Sequence, residues 1–591
     1  MNQTYADQFC DWLVEAGYTH CFFVSGGNIM HLLNSARKRF TCIPVVHEVA
    51  AGIATEYFNE TSSHERAFAM VTAGPGITNI VSAIAGAWLE SRELLVVAGQ
   101  VKSTDLASSR IRQRGIQEVG GIAIVSSITK SAIQIKKPLR KSEVIAFCEE
   151  SRIGRAGPVF LEFCLDAQGS TSDNDLNDSV LNHRVSDVTA SKAQIAELNL
   201  LISSSHRPII LLGGGVPRNA MSKLLPHLEA VGVPIMTTWN GLDRIDSDHP
   251  LYWGRPNTWG QRSSNILLQQ SDLVIAVGTR LGFQQTGFNW REFASLAKVV
   301  QVDIDEAELT KGHPHVDLPI CADACAVLEA IQKDVAPDDR WGEWKEFGQD
   351  VLTLLPHNEP VNSHHPRYLS PYDFVERLSE ILTNDDIVIP CSSGGAFTTM
   401  MQAFQQKLGQ IVVTDKGLAS MGYGLSGAIG ASYANPGKRT ILIEGDGGFA
   451  QNIQEVGTVA VGNLPLKIFI YDDGGYASIR MTQSNYFNGE YVGCDRETGL
   501  GLPNWLPFFA SYGVRAHTLD TKNAFSNEVL AMLNDDFPAA FIVPIDPEQT
   551  YFPKIASKVM PDGMMQSNPL HLMSPELSQE VASRVFKYLK V

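Results

Sequence analysis

Short apolar runs closed by Gly, Pro or Ser, alternating with stretches of helical periodicity, recur from one end of the chain to the other. Runs of this kind, with no polar alternation, belong to strands buried on both faces, and strands separated by helices pair in parallel. Residues 1–168 hold CFFV (21–24), FAMVT (68–72), LLVVAGQ (94–100) and PVFLEF (158–163). Residues 188–335 hold PIILLGGG (208–215), VPIMTT (233–238), LVIAVGT (273–279) and VVQVDID (299–305). Residues 369–550 hold DIVIPC (386–391), QIVVTD (410–415), TILIEGD (440–446), KIFIYDD (467–473) and AAFIVPI (539–545). The pattern predicts an α/β protein with three consecutive domains and mainly parallel sheets. The polar stretch 169–186 reads as a linker, as does the Pro-rich stretch 336–368 with its His364-His365 pair. Residues 551–591 form a tail that ends in a helix.

A chain of 591 residues has length for three or four domains, and its 44 % apolar content excludes a largely disordered protein. The formal charge of −17 argues against nucleic acid as a partner, since phosphate contacts need a cationic face. It leaves room for a phosphorylated ligand held by backbone N–H groups or a metal ion. No basic, then apolar, leader opens the sequence, and no apolar run has the length of a membrane span. Nine scattered cysteines without zinc spacing point to reduced thiols and a cytoplasmic home.

The chemistry concentrates in the third block. Gly445-Asp446-Gly447-Gly448 ends one apolar run, and Tyr471-Asp472-Asp473-Gly474-Gly475-Tyr476 ends the next. A glycine run lets backbone N–H groups close on an anion at a helix start. Asp446 supplies a hard oxygen suited to Mg²⁺. Parallel neighbouring strands would deliver Asp446 and Asp473 to one sheet edge, where α/β ligands bind. A diphosphate bridged by Mg²⁺ suits that edge. Taken alone, Gly-Asp-Gly also fits an ordinary strand-to-helix turn.

With the 24 residues 448–471 between its ends, the pair resembles the thiamine diphosphate (ThDP) motif, which closes on two asparagines. The resemblance implies that Asp446, Asp473 and the carbonyl of Gly475 hold Mg²⁺, with Gly447 and Gly448 at the cofactor. Asp472-Asp473 stands where Asn-Asn is usual, and the extra carboxylate is expected to tighten metal binding. Over nearly its whole length the chain resembles the acetohydroxyacid synthase (acetolactate synthase) branch of ThDP enzymes. Val46-His47-Glu48-Val49-Ala50-Ala51-Gly52 matches the catalytic glutamate motif, and Thr72-Ala73-Gly74-Pro75-Gly76 the Gly-Pro-Gly turn. Ser25-Gly26-Gly27-Asn28 matches the segment over the thiazolium, and Gln117-Glu118 a Phe-Gln-Glu segment in which Ile116 replaces Phe. Leu418–Leu425 carries Met421, the buttress of the bent cofactor, and Ser393-Gly394-Gly395-Ala396 aligns with a diphosphate-contacting loop. Ile479 would wedge between the two cofactor rings.

The resemblance implies pyrimidine-binding (1–168), central (188–335) and diphosphate-binding (369–550) domains. It also implies decarboxylation of a 2-keto acid such as pyruvate and transfer of the acyl-anion equivalent to a carbonyl acceptor. Glu48 would relay the activating proton, because a carboxyl shielded from water has a raised pKa. Gln117 would orient the acceptor. The adjacent histidines of simple decarboxylases are replaced by Arg112-Gln113-Arg114-Gly115-Ile116-Gln117. Thr482 stands where the family carries a specificity Trp, which favours a larger acceptor. Related flavoenzymes transfer the two-carbon unit to a nucleotide-linked ketosugar, building branched sugars such as yersiniose. Lys130 and Arg480 are candidate anion contacts or solvated charges. The family's non-redox FAD would meet Gly213-Gly214-Gly215, Thr238, Gly278, Arg280, Asp303 and Asp323, although Gln284 replaces a family Arg and Trp259 a family His. Relatives use this domain for ADP or leave it empty. A homodimer or homotetramer with active sites at subunit interfaces is also implied.

Overall fold

A computed structural model describes residues 3–108, 110–179, 188–333, 340–362, 365–560 and 565–589. The chain forms two compact units: residues 1–185, 385–397 and 413–547 in one, and 186–384, 398–412 and 548–591 in the other.

Two six-stranded sheets and one five-stranded sheet carry the α/β architecture. The first contains β1 (Tyr18–Phe23), β2 (Thr41–Pro44), β3 (Arg66–Val71), β4 (Leu94–Gln100), β5 (Ser131–Ile135) and β6 (Pro158–Cys164). Its order is β2-β1-β3-β4-β6-β5, with parallel pairing throughout. The second contains β7 (Pro208–Leu212), β8 (Ile235–Thr237), β9 (Leu273–Val277), β10 (Lys298–Asp303) and β11 (Leu318–Cys321), ordered β11-β10-β9-β7-β8. The third contains β12 (Ile387–Pro390), β13 (Ile411–Val412), β14 (Thr440–Gly445), β15 (Leu466–Asp472), β16 (Arg515–Thr518) and β17 (Ala539–Pro544). Its order is β13-β12-β14-β15-β17-β16.

The apolar runs become central strands because both sheet faces are covered. In β7 and β9, Ile210, Leu212, Ile275 and Val277 enter one core, and Ile209, Leu211, Val274 and Ala276 the opposite one. That split is the period-2 alternation of a strand buried on both sides.

Within the three large sheets, four strands of the described residues lie outside the expected runs: β2, β5, β11 and β16, all at sheet edges. The linker readings also need correction. Within 169–186, the Trp12 indole donates to Asn177 Oδ1 at 2.8 Å and Gln8 Nε2 to the Asp173 carbonyl, which fastens this segment to the N-terminal helix. The remaining part, 180–186, lies outside the described residues, as does His364. Within 336–368, a helix over Gly342–Leu354 buries Trp344, Phe347 and Val351 against the second sheet. The tail docks on the same unit: Leu570 and Val585 join that core, and Gln270 Nε2 donates to the Val585 carbonyl at 2.8 Å.

In the first unit, helix α1 (Glu48–Thr61) follows β2 and helix α2 (Pro75–Glu90) follows β3. Helix α3 (Tyr423–Ala434) precedes β14, and helix α4 (Ala477–Phe487) follows β15. Helices α1 and α3 pack closely because α3 presents small residues. A Cβ on Gly430 would stand 2.0 Å from the Ala54 carbonyl oxygen.

Candidate active site

At the third sheet, parallel register sets Gly445 of β14 opposite Tyr471 of β15, so the segments that follow both strands leave one edge together. Asp446 is fully buried; its Oδ2 accepts the Gly474 N–H at 3.0 Å and its Oδ1 the Gly447 N–H at 2.6 Å. Gly475 sits at φ +139°, and a Cβ there would stand 2.2 Å from the Cys494 carbonyl oxygen, so only glycine fits. The Gly475 carbonyl oxygen lies 3.4 Å from where a Cβ on Gly447 would be. Asp446, Asp473 and the Gly475 carbonyl are therefore neighbours.

Burial, then the adjacent Asp473 and Asp472 carboxylates, push Asp446 up to about 9. Burial pushes Asp473 up to about 7 against the opposing pull of Arg480. Clustered carboxylates raised this far mark a site short of positive charge, and a hard divalent cation supplies it. Space for a ligand lies alongside: Cβ positions on Gly394, Gly445 and Gly474 meet no atom within 4 Å. The residues present fit a metal-bridged diphosphate. Gly394, Gly395 and Ala396 begin the helix after β12, and Gly448 follows Gly447 in the turn after β14. Met421 is held between loops: Ser392 Oγ donates to the Ser420 carbonyl at 2.5 Å, Asn452 Nδ2 to the Gly422 carbonyl at 2.7 Å, and Gln451 Nε2 to Met421 Sδ at 3.7 Å. Ile479 lies in the first turn of α4 and is 46 % exposed.

At the first sheet, the strand order reverses between β1 and β3, and ligands of α/β sheets sit outside such a reversal. Gly26, after β1, abuts Thr72, after β3; a Cβ on Gly26 would stand 2.3 Å from Thr72 Cβ. Gly76 abuts the same threonine, and Thr72 Oγ1 is buried without a hydrogen-bond partner among the described residues. Gln117 is exposed at φ +62°, and its carbonyl oxygen presses against Gly74, 2.5 Å from where a Cβ would be. Its neighbour Glu118 organises the loop by accepting the N–H groups of Ala107, Arg114 and Gly115. Glu48 is the first residue of α1, nearly buried, with Oε2 accepting Asn79 Nδ2 from α2 at 2.9 Å.

One participant has no motif of its own. Glu455, fully buried on the third-sheet side, accepts the N–H groups of Val46 and His47 at 3.1 and 3.0 Å and the Thr458 hydroxyl at 2.8 Å. It braces the backbone that presents Glu48. Nothing in the local sequence pairs it with a segment 409 positions away. Of the two charges read above as anion contacts or solvated groups, Arg480 is an anion contact, made to a carboxylate of this chain, and Lys130 is neither. Lys130 Nζ donates to the carbonyls of Glu150 and Ile153, both at 2.6 Å. Arg480 is nearly buried against Asp473.

In the second unit, Gly213 and Gly278 meet so closely that a Cβ on Gly213 would stand 2.1 Å from the Gly278 carbonyl oxygen, and Gly215 packs on the same turn. Gly214 lies between them, and the buried Arg244 reaches its carbonyl. Thr238 follows β8, its N–H donating to the Leu212 carbonyl. Asp303 ends β10 and accepts the Asp305 N–H. Asp323 caps the helix over Ala324–Ala330, accepting the Ala326 N–H at 2.9 Å. Lys311 Nζ donates to the Arg280 carbonyl. The glycines and Asp323 thus have structural work apart from any nucleotide.

Comparison with known proteins matches this arrangement. Residues 3–124 match the N-terminal TPP binding domain of thiamine pyrophosphate enzymes, 195–331 the central domain and 393–543 the C-terminal TPP binding domain. A probable acetolactate synthase large subunit of Methanocaldococcus jannaschii is 30 % identical over 523 residues, covering 85 % of each chain. The chain belongs to the acetolactate synthase-like ThDP enzymes. A Methanococcus aeolicus protein of the same description is 29 % identical over 90 % of each chain. The Escherichia coli acetolactate synthase isozyme 2 large subunit is 28 % identical over 95 % of this chain and 99 % of its own. Among the described residues, no helix is long and apolar enough to cross a membrane.

Proposed function

We propose that this ThDP-dependent carboligase decarboxylates pyruvate and joins the two-carbon unit to a second 2-keto acid. The observation that carries the reading is a single compact unit holding both a buried acidic edge for a metal-bridged diphosphate and a shielded glutamate at a helix start. When bound, ThDP supplies the nucleophilic carbon and the electron sink for decarboxylation. Asp446, Asp473 and the Gly475 carbonyl would hold Mg²⁺ against the diphosphate, and the turn Gly445–Gly448 supplies backbone N–H donors. Asn79 fixes Glu48 through Oε2, which leaves Oε1 to hold and return a proton. The loop braced by Glu118 sets Gln117 beside the Gly74 turn, where its amide orients a carbonyl oxygen.

A nucleotide-linked ketosugar is a second reading, favoured by the acceptor side. Ile116 is 86 % exposed, and Thr482 is an exposed small residue whose hydroxyl turns back to the Ser478 carbonyl. Arg110, Arg112 and Arg114 crowd the same loop as Gln117. Mass analysis of products from pyruvate alone, pyruvate plus 2-ketobutyrate, and pyruvate plus a nucleotide 4-ketosugar tests both readings. Acetolactate from pyruvate alone supports the first; turnover only with the sugar replaces it with the second.

FAD in the second unit is supported by the strand-order reversal between β7 and β9, outside which ligands of α/β sheets sit, and a flavin absorbance band on purified protein tests it. Nine unpaired cysteines agree with a cytoplasmic setting. The active site is proposed to be completed between subunits of a homodimer or homotetramer, which light scattering with and without ThDP would reveal.

A further inference from the structure

The second carboxylate at the metal edge brings its own counter-charge. Arg480 lies in the first turns of α4, seven residues after Asp473, and is 8 % exposed. Its Nη2 donates to the Asp473 carbonyl oxygen at 2.7 Å and to Asp473 Oδ1 at 3.1 Å. One guanidinium nitrogen thus holds both the main chain and the side chain of a single ligand residue. A buried arginine is costly unless it is paired, and so is a buried aspartate. Arg480 offsets the charge that Asp473 adds, so this position contributes no more net charge than an amide would, while Asp446 and Asp472 keep theirs.

We propose that Asp473 and Arg480 act as one electrostatic unit, with Arg480 as a positioning residue that lets a carboxylate replace an amide at the second metal-ligand position. The site then offers Mg²⁺ a charged oxygen without adding net negative charge beside a diphosphate. The extra carboxylate therefore leaves metal affinity near that of an amide site, instead of raising it as the sequence alone suggests. Removing either partner unbalances the edge in opposite directions. Asp473→Asn leaves a buried cation facing the metal and weakens Mg²⁺ binding. Arg480→Gln leaves an extra negative charge, which strengthens binding of free Mg²⁺ and weakens retention of ThDP. Removing both restores balance.

The test is titration calorimetry of the cofactor-free protein with Mg²⁺ and then with ThDP, for Asp473→Asn, Arg480→Gln, Arg480→Lys and the double variant Asp473→Asn/Arg480→Gln. The expected shifts are roughly tenfold or more in the dissociation constants of the single variants, since a unit charge near a divalent ion is weakly screened in a buried site. The double variant and Arg480→Lys should return to within about threefold of the parent. Circular dichroism melts show which variants fold; if Arg480→Gln does not, the comparison of Arg480→Lys with the double variant decides. A double variant whose Mg²⁺ affinity stays as weak as that of Asp473→Asn, or an Arg480→Gln protein with both ligands weakened, overturns the proposal by assigning Arg480 a packing role. Binding needs no acceptor, so this outcome is independent of which carbonyl compound the enzyme uses.

Discussion

The first and third sheets follow the same strand path, yet their edges are chemically opposite. Written from the first strand of each, both read second-first-third-fourth-sixth-fifth. Both therefore open a crevice between their first and third strands, β1/β3 and β12/β14. In the first sheet that crevice is lined by neutral turns, Gly26 and Gly74-Pro75-Gly76, around a Thr72 hydroxyl that has no partner among the described residues. In the third, Gly394-Gly395-Ala396 come after β12 and the buried Asp446 comes after β14, with Asp473 after the next strand, β15. One path thus yields a neutral seat and a charged clamp. Topology sets where a ligand sits, and the loop residues set what it is.

If the division of labour holds, the largest effect comes from the clamp. Asp446→Ala is expected to abolish Mg²⁺-dependent ThDP retention and all turnover, measured by calorimetry and product assay. Glu48→Gln, on the first-sheet side, should lower kcat about 10²- to 10⁴-fold with ThDP affinity intact. Loss of ThDP binding in Glu48→Gln would break the comparison. Glu455→Gln sharpens it, because that residue belongs to the third-sheet side but braces the Glu48 backbone. A fall of about tenfold in kcat with an unchanged ThDP constant is expected. A shift in the ThDP constant larger than that in kcat would return Glu455 to the clamp.

The smallest effect concerns the seam between the sheets. Glu56 on α1 pairs with Arg92 at 2.9 Å and accepts the Tyr423 hydroxyl from α3 at 3.2 Å. Burial raises its pKa from 4.5 to about 8. Between those values the native state holds a proton that the unfolded chain has released, so unfolding free energy falls as pH rises through that window. Glu56→Gln should flatten this part of the urea-midpoint profile between pH 5 and 8. An unchanged slope would remove Glu56 from the account.

The central strands were legible as apolar runs because parallel strands covered on both faces need no polar alternation. β2, β5, β11 and β16 escaped notice because edge strands are covered less. β16, Arg515–Thr518, has no buried residue, and β2 has one. The helix over Gly342–Leu354 hides in a Pro-rich stretch because its apolar positions, Trp344, Phe347 and Val351, are few and spaced for one face. In the candidate site, the segments that hold Asp446, Gly475 and Glu48 were readable because each is a short motif. Arg480 was legible as an anion contact, though not its partner seven residues earlier; Glu455 was not legible, because its partners Val46 and His47 lie 409 and 408 positions away.

The sequence by itself determined the α/β class, the three-domain order and the ThDP family, since strand runs and loop motifs are local. Only the tertiary structure decided which charges stand together: Arg480 against Asp473, and Glu455 beneath the Glu48 backbone. Electrostatic balance in a buried site is a property of neighbours in space, and parallel sheets bring together neighbours that the chain keeps far apart.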